Sequence, residues 1–235
     1  MIVLGIESST PVASAALVSS SGLRGEIILN IGLTHSEQLL PLIDTLLEQT
    51  KTSLDEVEGI AVAAGPGSFT GLRIGMATAK GLAQGRNIPL TGVPTLLALA
   101  HTREGATGLV SPVMNARKNE VYTALFRICP QGIGQLAPYQ AVAPDKWALE
   151  LDRYGENVTI TGDGVEAYIN LWREVLKEKV IIPPPVLRTV RAATVAWLGR
   201  EKLLTGGGED LYRLKPLYIR PAEAQARLAR QKCLE

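Results

Sequence analysis

Two rhythms of apolar and polar positions alternate along the first hundred residues, and each switch between them predicts an element. Residues 2–7 form a short apolar run ending in Glu7, which reads as a strand. Pro11 marks a turn before a second strand at 12–18, and Ser19-Ser20-Ser21-Gly22 marks another before a third at 24–29. The period then becomes helical. Thr34 with Glu37 three residues on fits a capping box, and the helix over 36–50 carries Leu39, Leu40, Leu42, Ile43, Leu46 and Leu47. That apolar surface is wider than a one-sided surface helix needs. Pro41 removes one helical hydrogen bond, so the first turn is uncertain. A strand at 59–64, a helix at 71–84, a strand at 89–93 and a helix at 95–101 complete a β-β-β-α-β-α-β-α unit over residues 1–103.

A weak repeat follows. Residues 6–17 and 114–125 share a strand–turn–strand rhythm and end in the same Ala-Leu, which suggests two copies of one α/β unit, the second decayed. Beyond it, 145–151 and 164–176 read as helices, Pro183-Pro184-Pro185 as a rigid linker, and 189–204 as a helix stopped by Gly206-Gly207-Gly208. Trp147, Trp172 and Trp197 stand singly and read as core.

Length and charge narrow the class. The 235 residues can form one large or two small domains, and 24 basic against 23 acidic side chains disfavour a free-standing nucleic-acid binder. The charge is uneven: residues 1–60 are net −6 and residues 188–235 net +5, so the two ends are suited to different partners. No apolar run reaches the ~18 residues of a membrane helix. The start lacks a basic segment, so no signal peptide is expected. Cys129 and Cys233 lie in no metal or redox spacing, and a cytoplasmic protein with free thiols is expected.

The candidate chemistry is sparse. Gly65-Pro66-Gly67-Ser68-Phe69-Thr70-Gly71 joins a strand to a helix, a junction that suits phosphate, but it matches neither a Walker A loop nor the dinucleotide fingerprint. Glu7 ends the first strand, and Asn115 stands at the matching place of the repeat. A carboxylate in each half would hold Mg²⁺ on a nucleotide, and an amide at the second position weakens such a site. Glu7, Gly65, Gly67, Ser68 and Asn115 are therefore read as a vestigial nucleotide site. His35 reads as a helix-end side chain and His101 as a surface or packing residue, rather than ligands. No nucleophile–base set, metal site or cofactor is indicated. Gly71, Gly75, Ala79 and Ala83 recur every four residues and make one smooth helix face, which asks for a second helix close by, inside the fold or on another chain.

Leu4-Gly5-Ile6-Glu7-Ser8-Ser9-Thr10, His35-Ser36-Glu37 with Leu39-Leu40-Pro41, residues 65–75, Gly92-Val93-Pro94-Thr95-Leu96, Ala116-Arg117-Lys118-Asn119-Glu120-Val121-Tyr122 and Pro216-Leu217-Tyr218-Ile219-Arg220 together resemble the bacterial TsaB family. The resemblance implies a two-lobed α/β fold, like actin and the sugar kinases, with two RNase H-like subdomains. These would be residues 1–103 completed by the helix 189–204 and a degenerate second unit over 104–188, followed by a basic tail over 205–235. It implies a non-catalytic subunit that activates a TsaD-type paralogue forming N6-threonylcarbamoyladenosine beside the tRNA anticodon. A TsaE-type ATPase would join, tRNA would be met only through the complex, and no membrane would be involved. The paralogue's His-x-x-x-His metal pair falls here on Thr95 and Leu99. Pairing with the paralogue or a second copy would run through helices 36–50 and 71–84, with Leu39, Leu42, Ile43, Leu46, Gly71, Gly75, Ala79 and Ala83 as the interface. The alternatives are a small-molecule or acyl-phosphate kinase of the same fold, a metal-dependent glycoprotease-like hydrolase, and a self-associating structural protein.

Overall fold

A computed structural model describes residues 1–31, 34–103 and 105–220. The first sheet is built from β1 (Val3–Glu7), β2 (Ala13–Ser19), β3 (Gly22–Leu29), β4 (Gly59–Gly65) and β5 (Leu90–Pro94), in the order β3-β2-β1-β4-β5. The meander is antiparallel, with Gly5 opposite Ala16 and Glu7 opposite Ser14, while β4 and β5 add in parallel. The second sheet holds β6 (Gly108–Asn115), β7 (Val121–Cys129), β8 (Gly132–Val142), β9 (Val158–Thr161) and β10 (Val180–Ile181). Its order, β10-β9-β6-β7-β8, is the same topology read from the other edge. The faint echo of residues 6–17 in 114–125 is thus a duplicated fold, and the molecule is a two-lobed α/β structure with an RNase H-like sheet in each lobe.

Alternation along the strands sorts the side chains into layers. On the first sheet, Leu4, Ile6, Ile60 and Val62 face outward under α1 (His35–Gln49) and α2 (Phe69–Arg86). The intervening Val3, Ala61 and Ala63 face a central layer made by α3 (Thr95–His101) and α7 (Ala192–Leu204). α7 lies on β1, β2, β4 and β5, and α3 reaches the second sheet at β6 and β7. Small residues set this closeness. A Cβ on Gly5 would lie 2.3 Å from the Ala192 carbonyl oxygen, and one on Gly199 would lie 2.2 Å from Ala61 Cβ. On the far side of the second sheet, α4 (Pro144–Asp152), α5 (Gly164–Ala167) and α6 (Ile169–Leu176) bury Trp147 and Trp172 completely. The Trp147 indole N–H donates to Ser111 Oγ at 2.8 Å, which satisfies its one polar atom.

Four expectations are corrected. The helix expected over 164–176 is broken at Tyr168, whose φ of −131° and ψ of 24° are not helical. α7 starts at Ala192 because Arg191 is extended, and the N–H groups of Ala192 and Ala193 are met by Ser14 Oγ and Glu26 Oε1. Trp197 is not core. The buried face of α7 runs through Val195, Ala196, Gly199 and Leu203, and position 197 falls off it, 39% exposed. The segment beyond α7 is not wholly a free tail either. Glu209 N–H donates to the Leu90 carbonyl, Leu214 is buried against the first lobe, and Leu217 N–H donates to the Ala64 carbonyl at 2.6 Å. Residues 209–220 form a strap along β5, the otherwise open edge of that sheet. Residues 221–235, including Cys233, lie outside the described residues.

Candidate functional site

The carboxyl ends of β1 and β4 carry the residues that the sequence singled out. The turn after β1, Ser8-Ser9-Thr10, lies against the glycine loop after β4. Ser68 N–H donates to the Ser9 carbonyl at 2.7 Å, and Gly71 N–H is capped by Ser68 Oγ at 3.2 Å. A Cβ on Gly67 would lie 2.4 Å from the Ser9 carbonyl oxygen, and one on Gly71 would lie 2.0 Å from that of Ser8. The glycines are therefore needed for a backbone-on-backbone contact within the lobe, and Ser68 and Gly71 commit their N–H groups to it. Gly65 adopts φ +109°, donates to Thr95 Oγ1, and faces the Leu217 carbonyl of the strap. The Gly65-Pro66 peptide is cis.

Glu7 is fully buried. Its Oε1 accepts from Ser9 N–H at 2.7 Å and Ser9 Oγ–H at 2.5 Å, while Oε2 has no hydrogen-bond partner among the described residues. Burial pushes its pKa up to about 7, the Ser9 and Thr10 bonds hold it down in part, and the negative charge of Asp163 adds to the rise. Asp163 is itself raised by burial, against bonds from the backbone of Asn115 and Gly164. The acid of the second lobe whose charge reaches Glu7 is thus Asp163, and not a side chain at position 115. Asn115 is exposed at the end of β6, its N–H donates to Asp163 Oδ1, and its own Oδ1 accepts from Arg117 N–H at 2.8 Å. Sequence reasoning sought the second acid in the repeated hairpin. It comes instead from the loop after β9, where Gly162-Asp163-Gly164 occupies the place that Gly65-Pro66-Gly67 holds after β4. That glycine-flanked acid after a strand was a readable signal.

Among the described residues, no three His, Cys, Asp or Glu side chains converge as metal ligands. His35 Nε2 lies 2.8 Å from the Thr10 carbonyl oxygen and ties α1 to the same turn.

The eight residues expected at an interface are buried inside the chain. Leu39, Leu42, Ile43 and Leu46 are 1–3% exposed beneath α1, and Ala79 and Ala83 are fully buried beneath α2. The small face of α2 admits the chain's own β1 and its turn: a Cβ on Gly75 would lie 2.2 Å from Ser8 Oγ. Periodicity located the face correctly but could not say what fills it. The surfaces these helices turn outward carry Leu40, 54% exposed, together with Pro41, Ala77, Gly81 and Gly85. Nothing lies within 4 Å of a Cβ placed on Gly81 or Gly85.

Comparison with known proteins adds the lineage. Residues 31–227 match the family model for TsaD, tRNA N6-adenosine threonylcarbamoyltransferase. The tRNA threonylcarbamoyladenosine biosynthesis protein TsaB of Bacillus subtilis is 32% identical over 227 residues, 97% of each chain. A Pseudomonas aeruginosa protein described as similar to the peptidase YeaZ superposes with a TM-score of 0.79 at 25% identity, over 93% of this chain and 99% of that one. The activator of 2-hydroxyisocaproyl-CoA dehydratase from Clostridium difficile, solved with ADPNP, shares the fold at a TM-score of 0.53 and 9% identity, over 89% of this chain and 99% of its own.

Proposed function

The chain belongs to the TsaB family of tRNA threonylcarbamoyladenosine biosynthesis proteins, and we propose that it serves as a non-catalytic subunit that binds and activates a TsaD-type paralogue. The paralogue forms N6-threonylcarbamoyladenosine next to the tRNA anticodon, a TsaE-type ATPase joins the assembly, and the assembly works in the cytoplasm. One observation carries the non-catalytic part. Thr95 and Leu99, where the family resemblance puts the paralogue's metal-binding histidines, are both committed to structure. Thr95 Oγ1 accepts the Gly65 N–H at 3.1 Å, and Leu99 is fully buried in the central layer. Neither side chain can replace a histidine ligand.

The outward face of α1 and α2 supports the partner assignment. It combines the exposed Leu40 with Gly81 and Gly85, which let another helix approach closely. The same face serves a homodimer when the paralogue is absent. Co-expression with the paralogue and an assay of threonylcarbamoyl transfer, with and without this chain, tests the proposal. Transfer requires the chain, and Leu40→Glu or Gly81→Leu weakens association about tenfold or more with an unchanged melting temperature. Transfer, peptidase or kinase turnover by the purified chain alone, abolished by Glu7→Ala, refutes it.

A further inference from the structure

The strap does more than close a sheet edge: it gathers cationic side chains that are remote in sequence onto one surface. Leu214 and Leu217 anchor it to the first lobe. Tyr218 packs 5.2 Å from the Phe69 ring, and its hydroxyl oxygen accepts from Arg73 Nε at 3.2 Å while the Arg73 guanidinium lies 3.9 Å above Phe69. Two residues on, Arg220 crosses to the second lobe, pairs with Glu120 and donates to the Ala116 carbonyl. Exposed Arg213, Lys215, Arg73 and Arg117 thereby follow one another from the middle of the strap to the β6–β7 turn. None of these four forms an ion pair with a carboxylate among the described residues. Aromatic rings stand among them, Tyr212 at 81% and Tyr218 at 39% exposed. Acids within it are few and engaged, Asp210 accepting from the Tyr212 and Arg213 N–H groups and Glu120 pairing with Arg220, while Glu37, Asp44, Glu48, Asp55, Glu56 and Glu58 are exposed on and after α1.

We infer that this belt is an RNA-contact surface, which carries the ribose-phosphate backbone of the tRNA that the complex modifies. The inference rests on the function proposed above and names the part of the chain that meets the substrate. Guanidinium and ammonium groups without a carboxylate partner, interleaved with exposed rings, fit a polyanion with accessible bases, because the cations release counterions from phosphates and the rings stack bases. An acidic protein would use the cations and leave the rings unexplained. The acidic α1 side repels RNA and so orients it, and the small net charge limits the contact to an auxiliary one, effective within the assembly.

The test titrates labelled unmodified tRNA into the complex with the paralogue, and separately into the isolated chain at low salt, from 50 to 300 mM salt. The variant is Arg117→Gln with Arg213→Gln and Lys215→Gln. The control neutralises the equally exposed Lys146, Arg153 and Lys177 on the outer side of the second lobe, with the same change in net charge. In the belt variant the slope of log affinity against log salt falls by about 0.7–0.9 for each phosphate no longer engaged, and low-salt affinity drops about tenfold or more. Tyr212→Ala costs a further fivefold or so through weaker stacking. The control leaves both unchanged, and ultracentrifugation shows the belt variant assembling normally. Equal affinity and slope in the belt variant overturn the inference while transfer by the complex keeps the proposed function. Loss of paralogue association with tRNA binding intact also overturns it, and makes the belt a protein-docking surface. If no complex forms but the isolated chain loses its salt-dependent tRNA binding on substitution, the function fails and the belt stands.

Discussion

Replacing the buried Glu7 by Gln should change how stability depends on pH. In the folded chain the carboxyl titrates at about 7, against 4.5 when solvated, because burial outweighs the two bonds from Ser9 and Asp163 adds like charge. The folded state therefore holds the proton more tightly than the unfolded state. Stability from this group is fully present below pH 4.5, is lost as pH rises through the window to about 7, and is flat above it. At ~1.36 kcal/mol per pKa unit the loss is about 3 kcal/mol. Glutamine keeps an oxygen for Ser9 N–H and Oγ–H and never ionises, so this part of the pH dependence disappears. For a chain of this size, each kcal/mol moves the melting temperature by about 2–4 °C. Glu7→Gln should thus melt about 6–12 °C above the wild type at pH 8, and the gap should close toward pH 4.5. Asp163 titrates in both proteins, so the difference between their curves reports Glu7 together with its coupling to Asp163. Scanning calorimetry at half-unit steps from pH 4.5 to 8.5 measures it. A gap that stays constant with pH would mean that Glu7 ionises as a solvated carboxylate does, and the account of the cleft would be wrong.

Other substitutions test the packing. Gly75→Leu drives a side chain into Ser8 Oγ and should cost about 3 kcal/mol or more, seen as unfolding or aggregation of the isolated chain; a well-folded variant would mean that the small face of α2 is open. Leu214→Ala removes the buried anchor of the strap and should lower stability by about 2–4 kcal/mol, measured by urea denaturation, whereas a free tail would show no change. Trp147→Phe strips Ser111 Oγ of its indole donor and leaves a cavity, for a loss of about 1–3 kcal/mol by thermal melting.

Some of this protein was settled within short stretches of chain. The helix at Thr95–His101, the opening strands and the hairpin at 114–125 needed only local periodicity and turn residues, because hydrogen bonds within a helix or hairpin join near neighbours. The repeat could be heard in one such hairpin, and the matched sheet orders are its consequence. The small face of α2 was equally visible, since a four-residue spacing of glycine and alanine is a property of the helix alone. What enters that face is a property of the space around it, and only the folded chain shows that Ser8 fills it. Asp163 escaped for a related reason: its charge acts on Glu7 from the β9 loop of the other lobe, between residues 156 positions apart. The strap carries little periodicity, and its docking at Leu214, Leu217 and Arg220 depends on grooves made by β4, α2 and the β6–β7 turn together. Local pattern determines which surfaces an element offers, while the pairing of those surfaces is decided by long-range burial, which brings together groups that no sequence window contains.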